Sequence, residues 1–203
     1  MISSYRLGDL VLLQLNDEEK NEMLSEYPES IGSKYIIKKR ENGNVGGDAG
    51  NIDLITQIVM DNIEKYSHLL PKNITESTVI HLRLGDVIAG NEWHEKTKRP
   101  LETSYIKSLV AEDINPKYVI GKCFFAKTSS KNYEECIAAS NEYLHNVITE
   151  LQAEYFDSGN ADIDLYCAVK SKIFIQGKGY FSKLIAEIRK KLNLYCIETA
   201  VHN

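Results

Sequence analysis

The chain has 203 residues, 43% of them hydrophobic and 26% charged, with a formal charge of -5 at pH 7. That length suits one large domain or two small ones, with enough apolar residues to fill a core. The acidic balance repels nucleic acid, so extended DNA or RNA binding is not expected, and an anionic ligand would need a local basic or amide-rich pocket.

Residues 1–15 carry Arg6 and Asp9 within their apolar stretch and do not read as a signal peptide. No apolar run has the length of a membrane span. Residues 10–15 predict a buried strand. Asn16 then caps a helix with Asp17, Glu18 and Glu19 in its first turn, ending near Pro28. Residues 34–40 predict a second strand. In residues 43–51, four of the chain's 12 glycines fall within nine positions. Directly afterwards Ile52, Ile55, Ile58, Val59, Ile63 and Tyr66 repeat at helical spacing. A boundary falls at residues 70–75, around Pro71, dividing the chain into residues 1–75 and 76–203.

Residues 77–84 predict a strong strand, stopped by Gly85 and Asp86. An irregular loop is expected over 89–103, a short helix over 104–112 and a third buried strand over 118–126. Ser130 or Asn132 caps a long helix running to about Tyr155. A short helix over 163–169, a strand over 172–176, a helix over 180–192 and a strand over 194–198 complete the chain. Arg189, Lys190 and Lys191 read as a solvated helix end, where cations suit the dipole. Strands alternating with helices imply an α/β, Rossmann-like parallel sheet with helices on both faces. Ligands of such sheets bind at the carboxyl ends of the strands. The polar clusters at 85–86, 127–131 and 176–179 should gather there.

Cys123, Cys136, Cys167 and Cys196 have no metal-ligand or redox spacing. Buried thiols and a reducing, cytoplasmic setting are the expectation. His68, His94, His145 and His202 are scattered, no P-loop is present, and neither a metal nor a cofactor is expected.

The sharpest signal is His81-Leu82-Arg83-Leu84-Gly85-Asp86. In a strand, His81 and Arg83 share one face and Leu82 and Leu84 the other. An arginine near the carboxyl end of a parallel strand reaches a phosphate bidentately. Gly85 lets the backbone turn and approach a ligand. The same spacing also fits a buried strand whose arginine pairs with a nearby acid.

This pattern resembles the hallmark of the GDP-fucose-dependent fucosyltransferases, including the alpha-1,2, alpha-1,6 and protein O-fucosyltransferase branches. There the arginine binds the donor diphosphate. The resemblance implies that Arg83 holds the GDP phosphates, with His81, Gly85 and Asp86 lining the pocket. A second block is similar to that superfamily. Asp162-Ile163-Asp164 lies in a short helix, followed by a strand, and Gly177-Lys178-Gly179-Tyr180-Phe181-Ser182 comes next at a helix start. The resemblance makes Asp164 (or Asp162) a nucleoside contact, and places Lys178, Gly179, Tyr180, Phe181 and Ser182 around the phosphates. A glycine turn feeding a helix N-terminus does present free amides to an anion, although it is also an ordinary strand-to-helix turn. A third, looser match, Gly46-Gly47-Asp48-Ala49-Gly50-Asn51, has one residue more than the superfamily's glycine loop, and would bring Gly47 and Asn51 to the donor.

The resemblance as a whole implies a GT-B-like protein. Residues 1–75 would be a reduced N-terminal, acceptor-side lobe and 76–203 the donor-nucleotide domain. Its activity would be metal-independent, inverting transfer of fucose or a related sugar from a GDP-sugar to a glycan or other hydroxyl acceptor. Trp93 and His94 would meet the acceptor, and Arg83, Asp86 and Glu95 would be catalytic, with Glu95 (or Glu92) as general base. A lobe this short points to an acceptor side supplied by a partner, as in a homo-oligomer. Two other readings use the same residues: a non-catalytic nucleotide- or sugar-binding module, and a flavodoxin-like interaction domain.

Overall fold

The computed structural model describes residues 52–85, 87–88, 100–124 and 133–199. The elements expected over 10–15, 16–28 and 34–40 lie outside these. In chain order the elements are α1 (Ile52–Ile63), 3-10 turns at Ser67–Leu69 and Ile74–Glu76, β1 (Thr78–His81), β2 (Leu84–Gly85), α2 (Thr103–Leu109), β3 (Lys117–Ile120), β4 (Cys123–Phe124), α3 (Tyr133–Leu151), β5 (Glu154–Tyr155), α4 (Ala161–Lys170), β6 (Ile173–Ile175), α5 (Tyr180–Lys191) and β7 (Cys196–Ile197).

Five strands form one sheet in the order β5-β3-β1-β6-β7, and every neighbouring pair is parallel. β1 lies at the centre, with Ile80 opposite Val119 on one side and Ile175 on the other. All three are fully buried, and each such side chain contributes roughly 1.5–3 kcal/mol through the area it removes from water. Alternation along β1 sorts the two layers. Val79 joins a core built from α1, α4 and α5, including Val59, Leu165, Ile185 and Ile188. Ile80, Leu82 and Leu84 join a second core built from α2 and α3, including Ile106, Val147 and Leu151. The architecture is therefore an α/β sheet covered on both faces, as the alternating pattern required. Ile63, Leu70 and Ile74 pack into the same core as the sheet, so residues 52–74 are integral to this layer.

The expected strand over 77–84 is interrupted. The Leu82 amide still donates to the Ile120 carbonyl at 2.8 Å, but Leu84 and Gly85 leave the main sheet and pair with Cys123 and Phe124 in a separate two-stranded ladder. The expected strand over 118–126 breaks at the same level, between Ile120 and Cys123. The long helix stops at Leu151 rather than near Tyr155. Gln152 adopts a left-handed φ of 51°, which a helix cannot continue through, and Glu154–Tyr155 becomes the edge strand β5. The reading of Arg189 as solvated is also wrong: its side chain is fully buried.

Candidate functional site

β1 connects to β3 on one side of the sheet, whereas β6 continues to β7 on the other. The connections leaving β1 and β6 therefore diverge, and in a doubly wound sheet such a switch point opens a crevice at the carboxyl ends of the strands. The two motifs singled out in the sequence follow β1 and β6.

They meet there. Gly179 has φ of 96°, open to glycine. A β-carbon added to it would lie 2.9 Å from Arg83 Nη1 and 3.5 Å from its Cδ, so the arginine crosses directly over this turn. A β-carbon at Gly177 would fall on the His81 carbonyl oxygen and lie 2.7 Å from His81 Nδ1. Both glycines are where the backbone after β6 must admit groups from the end of β1.

His81 is buried, and its ring packs against Phe181 with centroids 5.3 Å apart and planes tilted by 38°. Burial first, and the Arg83 charge second, push its pKa down to about 3. The imidazole is thus neutral at physiological pH, with one nitrogen donating and one accepting. Its Nδ1 and the Oγ of the fully buried Ser182 have no hydrogen-bond partner among the described residues. α5 opens at Gly179 without a side-chain cap. The amides of its first turn are left to an outside acceptor, and the helix dipole favours an anion there. Lys178 sits in the same turn. A guanidinium over this turn, a lysine within it and an uncapped helix start after it make an arrangement suited to a phosphate.

Gly85 is fixed differently. It lies in β2, with φ of 90°, and its amide donates to Ser140 Oγ in α3 at 2.9 Å. Sequence reasoning misses Ser140, since a lone serine in a helix carries no signal for such a role. Asp164 is buried in the first turn of α4 and accepts from Ser158 Oγ at 2.6 Å and from the Ser158 amide at 3.3 Å. Burial raises its pKa to about 6, with the Ser158 hydrogen bonds pulling the other way. Asp162 is also buried, its pKa pushed well above the usual range by burial and then by Asp164. By topology α4 starts at the same carboxyl edge as the crevice, since it leads from β5 to the parallel strand β6.

Asp86, Trp93, His94, Glu95, Gly47 and Asn51 (and Glu92) lie outside the described residues. Among the described residues no cluster of His, Cys, Asp and Glu has the makings of a metal site, and no helix is long and apolar enough to cross a membrane.

The Asp164 shift has a measurable consequence. A folded pKa near 6 lies above the unfolded value of 3.8. The stabilisation from proton uptake is therefore full below the unfolded pKa and lost as pH rises through about 6. His81 works oppositely, because its folded pKa is depressed, and stability is lost as pH falls from 6.5 towards 3. D164N isolates the first effect. Relative to wild type it is expected to be more stable at pH 8 than at pH 4 by roughly 2–3 kcal/mol, read by urea titration at each pH. A pH-independent difference would contradict the burial of an ionising Asp164.

The chain matched no protein-family model, and no curated protein matched it.

Proposed function

We propose that this chain is a metal-independent, inverting glycosyltransferase of the GDP-fucose-dependent type, acting on a GDP-sugar and a glycan or other hydroxyl acceptor. The observation that carries the reading is the meeting of Arg83 with Gly179 at the β1/β6 switch point. Two motifs 96 positions apart in the sequence converge on one crevice, in the order and with the chemistry that the resemblance requires.

In this reading the sheet is the donor half of a GT-B-like pair of lobes. The donor diphosphate lies across Gly179 between Arg83, Lys178 and the first-turn amides of Tyr180, Phe181 and Ser182. Gly85 and Asp164 complete the donor side. The acceptor hydroxyl attacks the anomeric carbon, the bond from that carbon to the diphosphate oxygen breaks, and GDP leaves carrying the electron pair. The hydroxyl proton passes to a carboxylate, for which Glu95 is the candidate, and Asp86 holds the arginine loop. Trp93 and His94 meet the acceptor. Arg83 and the helix N-terminus neutralise the charge that develops on the leaving group, a task a metal performs in other transferases. Four cysteines, two of them buried and none in a disulfide, suit a reducing cytoplasmic setting.

The test is a melting screen with GDP, GDP-fucose, UDP, ADP and their sugars, followed by transfer assays with radiolabelled donor. A ligand at about 100 times its Kd adds roughly 2.7 kcal/mol, or a rise of about 5–10 °C for a domain of this size. GDP and GDP-fucose are expected to produce it and the other nucleotides not. GDP binding without transfer or hydrolysis would leave a binding module. No response to any nucleotide would leave an interaction domain and end the transferase reading.

A further inference from the structure

A second site has neither Arg83 nor the Gly177–Gly179 turn in its lining. A cavity of about 330 Å³ is lined by Tyr66 and Leu69, which follow α1, and by Ser158, Asn160, Asp162, Ile163 and Tyr166 around the start of α4. Its size lies at the lower end of the range for small-molecule sites. Asp162 is only 2% exposed, and neither carboxylate oxygen has a hydrogen-bond partner among the described residues. The neighbouring titratable group that acts on it is Asp164, of the same sign. Buried carboxylates are ordinarily paired with a cation or fully hydrogen-bonded, and among the described residues this one is neither. Two aromatic rings stand beside it: Tyr66 and Tyr166 stack with centroids 5.9 Å apart and planes 17° from parallel. The Tyr66 ring already accepts a cation on one face, with Lys65 Nζ 5.5 Å from its centroid.

We propose that this cavity binds a small organic cation, an ammonium or guanidinium head on a short apolar stem. The head pairs with Asp162, hydrogen bonds reach Ser158 and Asn160, and the stem lies along Leu69, Ile163 and the tyrosine rings. Burial and Asp164 favour the protonated form of Asp162; a cation favours the ionised carboxylate, displaces that proton and also gains from the ring faces. A neutral polyol does neither. The site goes beyond the transferase reading and stands without it, because its lining includes neither Arg83 nor the glycine turn after β6.

The probes are n-butylguanidinium and n-butylammonium chloride, titrated at constant ionic strength into the full chain and followed by amide chemical shifts. n-Butanol and guanosine serve as controls. Saturable shifts at the Ser158, Asn160 and Ile163 amides are expected with the two cations and not with butanol. D162N should fold with a melting temperature at or above that of wild type, since it replaces an unpartnered buried carboxyl by a neutral group of the same shape. It should weaken cation binding at least about 30-fold, the loss expected when one partner of a buried charge pair is neutralised. Tyr66→Leu keeps the carboxylate, removes a ring face and should weaken binding less. Absence of saturable shifts, equal shifts with butanol or undiminished affinity in D162N would each overturn the proposal. So would a fall in the melting temperature of D162N, which would mean the carboxylate is already satisfied. Guanosine binding that disappears in D162N would assign the cavity to a nucleoside instead. The GDP melting screen is read separately, so either site can fail alone.

Discussion

Replacing Arg83 by alanine is expected to lower transfer from GDP-fucose by about 100-fold or more while leaving the fold intact, because it removes a preorganised donor from the place where charge develops on the leaving diphosphate. The fold should survive for a local reason. Arg83 follows β1 rather than lying within it, and it is only half-buried. Ile80 and Leu82, which fill the core on the opposite face, are untouched by the change. The kinetic signature is specific. If the guanidinium grips the diphosphate more tightly in the transition state than in the ground state, kcat falls with kcat/KM, whereas a mere ground-state contact would raise KM alone. Arg83→Lys keeps the charge and loses the planar fork that matches a phosphate, so it should recover only part of the activity. His81 offers an internal control. The Arg83 charge is the second cause of its lowered pKa and burial the first, so the imidazole should remain neutral in R83A, and its titration by NMR should move only modestly upward. Wild-type turnover in R83A, or unaltered GDP affinity together with unaltered turnover, would remove the arginine from the mechanism.

Most of the sheet was legible because apolar alternation reports directly on burial. Leu82 and Leu84 were expected on one face, opposite His81 and Arg83, and both do lie in one core with Ile80, whereas Val79 joins the other. The glycine turn before α5 was legible too, as a Gly-x-Gly preceding a helical repeat. Its reason was not, because nothing in the local sequence tells that Gly177 must admit the His81 backbone and Gly179 the Arg83 side chain. That information lies in the parallel pairing of β1 with β6. The break after His81 was hidden for a similar reason. The apolar alternation runs unbroken through Leu84, and the change of partner from the main sheet to Cys123–Phe124 is a tertiary event. β5 escaped notice because both of its residues are exposed and it is two residues long, which gives periodicity nothing to register. The Asp162 cavity could not be read at all: Tyr66 and Tyr166 stand 100 positions apart, and only the packing of the segment after α1 against α4 brings them together. Arg189 is a different kind of miss, since a signal was present. Ser182, Ile185 and Arg189 fall on one stripe of α5 at helical spacing, and the neighbouring Lys190 and Lys191 drew the whole run to the surface.

That buried arginine carries the largest expected effect on stability. Its Nη1 donates to the carbonyls of Ala168, Val169 and Ser171 at 2.7, 2.9 and 2.9 Å. Its Nη2 donates to those of Lys172 and Tyr195 at 3.1 and 2.6 Å. Ala168 and Val169 lie in the last turn of α4, where carbonyls lack helical partners and a cation is favoured by the dipole. One side chain thus caps α4 and binds the entry to β6 and the approach to β7. Burial lowers its pKa to about 10, so it stays charged at neutral pH. Arg189→Met fills similar space without donors and leaves those carbonyls unsatisfied. A loss of roughly 3–5 kcal/mol is expected, the usual result of removing one member of a buried polar network, with a fall in Tm of about 6–20 °C. Arg189→Lys retains a charge but has too few donors, fixed in no fork, to serve all these acceptors, and should fall between the two. Below its melting transition, R189M should still respond to GDP, because the cage holds the C-terminal end of α5 whereas the phosphate crevice lies at its N-terminal end. A melting temperature equal to that of wild type would mean that these carbonyls find other partners. A GDP response lost well below the transition would mean that the position of α5 is set by Arg189 along its whole length, and that the crevice depends on an anchor at the far end of the helix.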